Sequence, residues 1–174
     1  MRCLNLHPIT FKDHNNFKKI IMSSTYTSLY LHAVWGTKHR QPLITPEIEP
    51  RIYRFITGII KNEGGRVFAI DGMPDHVHLF FSIPQTVSIP KLMQAIKAKS
   101  SKLVHENFPD NHFFAWQSGY GIFSVSASMG NTVKNYVLSQ KEHHQKLSFE
   151  EEYLGLLKKH GIVFDPKFVL EPNI

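Results

Sequence analysis

Residues 66–83 read RVFAIDGMPDHVHLFFSI and predict two β-strands joined by a short turn. Both halves are apolar and rich in β-branched and aromatic residues, and Pro74-Asp75 lies between them. Successive side chains of a strand point to opposite faces of a sheet, so His76 and His78 face the same side. Two imidazoles buried side by side without partners are costly. They therefore need water, a hydrogen-bond network, a metal ion or a substrate.

The flanking segments predict a strand and a helix on each side of this hairpin. SLYLHAVWGT, residues 28–37, has the composition of a strand, and apolar residues then recur at helical spacing from Pro46 until Gly64-Gly65. After the hairpin, a helix capped by Ser88, a loop over residues 107–118 and the strand GYGIFSVSA follow. The order strand, helix, strand, strand, helix, strand predicts an α+β fold. It is the ferredoxin-like, split βαβ arrangement, an antiparallel sheet with helices on one face.

Further helices are predicted at the C-terminal end of this unit. A third helix begins at Ser128 or Asn131 and continues to about Lys146. Ser148 and Glu151 form a capping-box pattern that opens a last short helix, which ends at Gly161. We expect one domain over residues 22–165, preceded by an N-terminal extension over residues 1–21 and followed by a tail over residues 166–174.

The composition and net charge of the chain indicate which class of molecule it binds. The 174 residues carry a formal net charge of +6, which favours a polyanion such as nucleic acid. Lys91, Lys99 and Lys102 fall on one side of the second predicted helix and are candidates for contacts to a phosphate backbone. No apolar run reaches the roughly 18 residues that a membrane span needs. Cys3 is the only cysteine, so we expect no disulfide framework and a reducing, cytoplasmic location.

The third predicted helix carries polar groups where a core-facing stripe would carry leucine or isoleucine. Tyr136 and Gln140 are four residues apart and therefore neighbours on one face, with His143 and His144 one turn further on. Two neutral imidazoles and an amide oxygen would make a three-ligand site with open positions, suited to a divalent cation that holds a phosphate oxygen. A tyrosine beside such a site could attack phosphorus as a covalent nucleophile.

These motifs together resemble a known family. HVHLFFS is similar to the histidine–hydrophobic–histidine (HUH) signature, and NYVLSQKEHH resembles the Tyr-x-x-x-Gln helix of the single-tyrosine transposases of small bacterial insertion sequences. The REP-associated tyrosine transposases are related to them. SLYLHAVWGTKHRQPLI and WQSGYGIFSVS also resemble that family, so the similarity runs from about residue 23 to residue 161.

The resemblance implies an enzyme that nicks and joins single-stranded DNA at hairpin ends of a mobile element. It implies that His76, His78 and Gln140 bind Mg²⁺ or Mn²⁺ and that Tyr136 forms a 5′-phosphotyrosine. No ATP would be needed, because the phosphodiester energy is kept in that linkage. The resemblance also implies a homodimer whose active sites are completed in trans, with the tyrosine helix of one subunit reaching the histidines of the other. The role of His143 and His144 stays open.

Two other classes of function remain as alternatives. A histidine-dependent nucleotide phosphoesterase would need a third alternating histidine, where Phe80 stands, or a second His-x-Ser/Thr strand, which neither the segment at His32 nor SVSAS supplies. A nucleic-acid-binding module would stack bases on exposed aromatic residues of its sheet. GIFSVSA lacks the basic and aromatic signature of such sheets, and this alternative leaves the two histidines and Gln140 unexplained.

Overall fold

The computed structural model of the chain describes residues 26–165 and Val169. The expected extension over residues 1–21, and the tail apart from Val169, lie outside the described residues. Within the described residues, no helix is long and apolar enough to cross a membrane.

A four-stranded antiparallel sheet forms the centre of the fold, in the order β2-β3-β1-β4. This order and the split βαβ connectivity confirm the predicted α+β architecture. The strands are β1 (Tyr30–Gly36), β2 (Arg66–Met73), β3 (His76–Ser82) and β4 (Gly121–Val125). β3 lies between β2 and β1, so residues on both faces of β3 are buried.

Two long helices, α1 (Glu49–Asn62) and α2 (Ile89–Asn107), cover one face of the sheet. Val77, Leu79 and Phe81 of β3 point into this layer and join a core with isoleucines of α1 and with Ile96 of α2. His76 and His78 alternate with these residues along β3 and therefore point to the opposite face of the sheet. Ser88 occupies the residue before α2 as predicted, but its side chain makes no capping hydrogen bond.

Three short helices, α3 (Gly130–Leu138), α4 (Gln140–His143) and α5 (Phe149–Lys159), lie on the other side of the sheet. Val137 of α3 is fully buried against Ala69 of β2 and Phe80 of β3. On α5, Phe149 and Tyr153 form a second small core with Val34 and Phe123 of the sheet. The predicted capping box at the start of α5 is present. The C-terminal helices thus bury the face of the sheet that carries the histidines.

The single third helix predicted up to Lys146 is wrong, because the structure has two helices separated at Ser139. The Ser139 backbone leaves the helical region, with φ −104° and ψ 20°. The Ser139 hydroxyl and the Gln140 amide both donate to the Tyr136 carbonyl, at 3.2 and 3.1 Å. A side chain that bonds a carbonyl of the preceding turn competes with the helical ladder. The break turns α4, and the residues after it, back toward the sheet.

Gly121 at the start of β4 allows α5 to lie close to the sheet. A Cβ atom at this position would come 2.8 Å from Cε2 of Tyr153 and 3.1 Å from Cζ of Phe123. Any residue larger than glycine would therefore displace the Tyr153 ring, or α5 with it, from β4.

Candidate metal centre and nucleophile

His76 and His78 lie side by side on β3 and are almost completely buried, with 1% and 0% of their surface exposed. Their ring centroids are 5.2 Å apart. Nδ1 of His76 is 2.8 Å from the Asp75 carboxylate, and Nδ1 of His78 is 3.1 Å from Nε2 of His32. Because the δ nitrogens are engaged in this way, the ε nitrogens face the short helices. The predicted pairing of the two imidazoles on one face of a strand is confirmed.

Asp75 and Arg40 fix the orientation of His76. A carboxylate only accepts hydrogen bonds, so His76 donates from Nδ1 and keeps a lone pair on Nε2. Arg40 pairs with the other oxygen of Asp75 and lies 3.4 Å over the ring of Phe149. Burial raises the pKa of Asp75, but the hydrogen bond with His76 and the charge of Arg40 outweigh it and lower that pKa below its ordinary value. Asp75 is therefore a fixed anion behind His76.

Burial keeps the imidazoles of the site neutral. It lowers the pKa of His76 to about 4, although the bond with Asp75 acts in the opposite direction. Burial also lowers the pKa of His78, and it lowers the pKa of His32 to about 3. A neutral imidazole is the form that binds metal ions.

Glu152 of α5 is a residue of the site that the sequence motifs did not reveal. Its side chain is 4% exposed. One carboxylate oxygen, Oε2, lies 3.3 Å from Nε2 of His78 and 3.1 Å from Nε2 of His144. The other, Oε1, accepts the hydroxyl hydrogen of Tyr136 and lies 3.5 Å from Nε2 of His143. Burial raises the pKa of Glu152, but the nearby His78 and the hydroxyl of Tyr136 leave it at about 2, so the group is ionised.

The spacing of the apolar residues in α5 indicates that this glutamate is buried. Phe149, Tyr153 and Leu157 recur at intervals of four residues and are buried. Glu152 stands three residues after Phe149, on the same side as this apolar stripe, where a charged residue needs a partner. Its two acidic neighbours, Glu150 and Glu151, are exposed.

Tyr136 of α3 lies against the histidines of its own sheet. Its ring centroid is 5.9 Å from those of His78 and His32, and 5.3 Å from that of His143. Burial, followed by the charge of Glu152, raises the pKa of the phenol, so it is protonated at neutral pH. A phenol in this state needs a proton acceptor when it attacks, and it already donates to Glu152.

Gln140 is fully buried at the start of α4, one turn after Tyr136. Its amide nitrogen donates to the Tyr136 carbonyl, and its Oε1 has no hydrogen-bond partner among the described residues. The structure thus buries an amide oxygen without a hydrogen-bond partner close to Tyr136, as a metal ligand would require.

A divalent cation fits the groups that meet here. Ligand atoms of His76, His78, His144 and Glu152 all lie within 4.8 Å of one another. Two ligands on opposite sides of a metal with bonds of about 2.1 Å lie about 4.2 Å apart, so a small inward movement would close the site. Among the described residues, Nε2 of the three histidines and Oε2 of Glu152 have no hydrogen-bond partner. Buried polar atoms without partners are rare, and four that converge form a group that could hold a cation.

A cavity of about 470 Å³ opens beside Tyr136, between β4, α3 and α5. His32, His143 and Glu152 contribute to its wall, together with Phe123 and His160, whose rings stack at 4.6 Å. The site is therefore accessible on one side to a substrate larger than water.

The three predicted phosphate-binding lysines are not near this cavity. Lys91, Lys99 and Lys102 are exposed on α2, which covers the opposite face of the sheet from the histidines. Lys102 is 3.6 Å from Glu106, one turn along the same helix. Any phosphate contact of these lysines would therefore lie on the face of the sheet opposite the histidines.

Comparisons with known proteins identify the family of the chain. A sequence profile of the family described as "Transposase IS200 like" matches residues 25–140, two thirds of the chain. The ISDra2 transposase TnpA of Deinococcus radiodurans is 26% identical over 119 residues, which cover 66% of this chain and 85% of that protein. The transposase for insertion sequence element IS200 of Salmonella typhimurium is 24% identical over 116 residues, covering 64% of this chain and 76% of the relative.

Solved structures show the same fold at low sequence identity. A putative transposase from Deinococcus radiodurans R1 aligns with a TM-score of 0.54 at 23% identity, covering 70% of this chain and 98% of that one. A REP-associated tyrosine transposase bound to a REP hairpin aligns with a TM-score of 0.53 at 12% identity, covering 72% of this chain and 76% of the other. The matched profile contains His76, His78, Tyr136 and Gln140, but it ends before His144 and Glu152.

Proposed function

The chain belongs to the IS200-like transposases, and from this we propose that it cleaves and rejoins single-stranded DNA through a covalent bond between Tyr136 and a 5′ phosphate. The observation that carries the proposal is the contact of the Tyr136 hydroxyl with a buried carboxylate beside His76 and His78. A nucleophile, a proton acceptor and a set of metal ligands thus lie in one cluster at the edge of a cavity.

The reaction follows from the positions of these groups. The Tyr136 oxygen attacks phosphorus as its proton leaves toward Glu152, and the bond from phosphorus to the 3′ oxygen breaks. The 3′ oxygen takes up this proton from Glu152 by way of water and becomes a free 3′ hydroxyl. In the second step a 3′ hydroxyl attacks the phosphotyrosine and releases Tyr136, so one phosphodiester replaces another without ATP.

His76, His78 and Gln140 would hold the divalent cation, Mg²⁺ or Mn²⁺. When bound, the cation would supply charge to the scissile phosphate and hold one of its oxygens. The neutral imidazoles and the unpartnered amide oxygen are in the state that binding requires. Asp75 and Arg40 would keep the ring of His76 in place while the ion binds.

We propose single-stranded DNA with hairpin ends as the substrate. The solved relative with a REP hairpin supports a hairpin as the recognised element. Base stacking on the sheet, the alternative of a simple binding module, is not supported, because helices cover both of its faces. As an enzyme that acts on cellular DNA, the chain would work in the cytoplasm.

We further propose that the working unit is a homodimer with active sites completed in trans. Within one chain, α3 lies on its own sheet through the buried Val137, and Tyr136 lies beside its own His78. The trans arrangement would place the same apolar face of α3 on the partner's sheet. The segment Ser126–Met129 before α3, which forms a short 3₁₀ turn, is where the chain would change direction.

The experiment that tests the proposed function is the capture of a protein–DNA adduct. The full chain is incubated with labelled single strands that cover the DNA on either side of its own gene, in Mn²⁺ or Mg²⁺, and run on a denaturing gel. We expect a shifted band from the wild type and none from Tyr136→Phe, which loses only the hydroxyl. An adduct of equal yield in Tyr136→Phe would contradict the proposal.

A further inference from the structure

We propose that His144 and Glu152 are ligands of the same divalent cation as His76 and His78, so that three imidazoles and one carboxylate hold the metal. The inference rests on the proposed function and extends it to two residues that lie beyond the matched family profile. It gives a role to His144 and to a glutamate that the motifs do not contain.

The hydrogen bonds behind the histidines leave lone pairs that face each other. Nδ1 of His144 is 2.9 Å from the Leu147 carbonyl, which only accepts, so His144 in its neutral form has no proton on Nε2. Nδ1 of His76 donates to Asp75 in the same way. The lone pairs on these ε nitrogens converge on the ionised oxygen of Glu152, which lies 3.1 Å from His144. A cation lying among the three groups would be attracted by all of these lone pairs.

The burial of Glu152 points to the same conclusion. A carboxylate removed from water needs a hydrogen-bond donor or a cation for each oxygen. Tyr136 donates to Oε1, but Oε2 has no hydrogen-bond partner among the described residues. A divalent cation bound to Oε2 would compensate this oxygen and leave Oε1 for the tyrosine. The same carboxylate would then connect the metal to the nucleophile.

Local structure holds both new ligands in position. The capping box of Ser148 and Glu151 fixes the first turn of α5, directly before Glu152. The carbonyl of Leu147 orients the His144 ring, just as Asp75 orients that of His76. Ligating histidines usually donate their second nitrogen to a carbonyl or carboxylate, and these two follow that pattern.

The ligand set determines which metal the site prefers. Mg²⁺ is bound mainly by oxygen ligands, whereas imidazole nitrogens favour transition metals. Three histidines and one carboxylate therefore favour a transition metal over Mg²⁺, and Mn²⁺ is the transition metal used in the test below. In six-coordination, these four ligands leave two positions, enough for Gln140 and one phosphate oxygen.

The test measures Mn²⁺ binding by the full chain without DNA, using calorimetry and the loss of the free Mn²⁺ signal in electron paramagnetic resonance. We expect Glu152→Gln and His144→Ala to weaken binding at least tenfold. The matched controls, Glu150→Gln and His112→Ala, change the same residue types at exposed positions and should bind as the wild type does. The wild-type protein should also bind Mn²⁺ more tightly than Mg²⁺.

The outcomes separate this inference from the proposed function. Wild-type Mn²⁺ affinity in folded His144→Ala and Glu152→Gln would overturn the inference, even if the DNA adduct still forms on Tyr136. Weakened Mn²⁺ binding in both variants would support the inference even if no adduct is found. If Glu152→Gln fails to fold, His144→Ala decides, because that side chain is removed at the end of a short helix.

Discussion

Replacing Gly121 with alanine should move α5 and thereby separate Glu152 from the imidazoles, although Gly121 is not part of the site. The added methyl carbon would lie 2.8 Å from the Tyr153 ring, and ordinary carbon contacts are about 3.5–4.0 Å. The helix must therefore retreat by roughly 1 Å unless the ring turns away. Overpacking of this size costs about 1–3 kcal/mol of the free energy of unfolding.

The same displacement should reduce activity. Glu152 is next to Tyr153 on α5 and would follow it, lengthening the distance of 3.3 Å between Oε2 and Nε2 of His78. Misplacement by about 1 Å in a reacting site can lower the rate by about 100-fold. We therefore expect Gly121→Ala to form the DNA adduct roughly 10–100 times more slowly while it remains folded.

Two glycines provide matched controls for this variant. Cβ atoms at Gly155 in α5 and at Gly58 in α1 would meet no atom within 4 Å. Alanine at either position should raise the free energy of unfolding by about 0.5–1 kcal/mol, measured by urea denaturation, because glycine is a poor helix residue. Gly58→Ala should also keep the wild-type rate of adduct formation. A Gly121→Ala protein with wild-type stability and rate would refute the reasoning.

Three further predictions concern the metal, assembly and DNA affinity. His76→Ala should abolish cleavage in Mg²⁺ and Mn²⁺ but keep most of the DNA affinity, as measured by fluorescence anisotropy, because phosphate contacts dominate binding; cleavage at the wild-type rate would exclude His76 as a ligand. Mixed dimers of His76→Ala and Tyr136→Phe should recover cleavage, because one of the two active sites is intact when the sites are completed in trans. Heterodimers that are shown to form but remain inactive would mean that each chain completes its own site. Replacing Lys91, Lys99 and Lys102 with glutamine should change how binding of single-stranded DNA depends on salt. The slope of the logarithm of the binding constant against the logarithm of salt concentration should become shallower by about 0.7 for each phosphate that a lysine no longer neutralises. An unchanged slope would show that these lysines do not contact the DNA.

The sheet and its histidine pair could be predicted from sequence because they rest on short-range rules. The alternation of residues 76–82 fixes which side chains share a face, and the turn at Pro74-Asp75 fixes the pairing of β2 with β3. The order of strands and helices then leaves few topologies. Tyr136 and Gln140 were recognisable because a spacing of four residues predicts neighbours on one helix face, although the structure breaks the helix between them at Ser139.

The remaining part of the site depends on tertiary contacts that the sequence does not display. At Ser139, where α3 ends, the Ser139 hydroxyl and the Gln140 amide donate hydrogen bonds to the Tyr136 carbonyl. Glu152 was not predicted because a run of three glutamates normally indicates a solvated helix face. The spacing of the apolar residues in α5 was the one sign of its burial, and the packing of Phe149 and Tyr153 on the sheet shows that it is buried.

The most direct test of the central claim is to identify the residue that carries DNA after the reaction. Trypsin cleaves after Lys134 and Lys141, which gives the peptide NYVLSQK with Tyr136 as its one tyrosine. After incubation with cleavable single-stranded DNA and Mn²⁺, mass spectrometry should find this peptide joined to a 5′ phosphate through the tyrosine. A DNA-linked peptide that contains a different residue, or cleaved DNA with free 5′ phosphates and no linked peptide, would contradict the account.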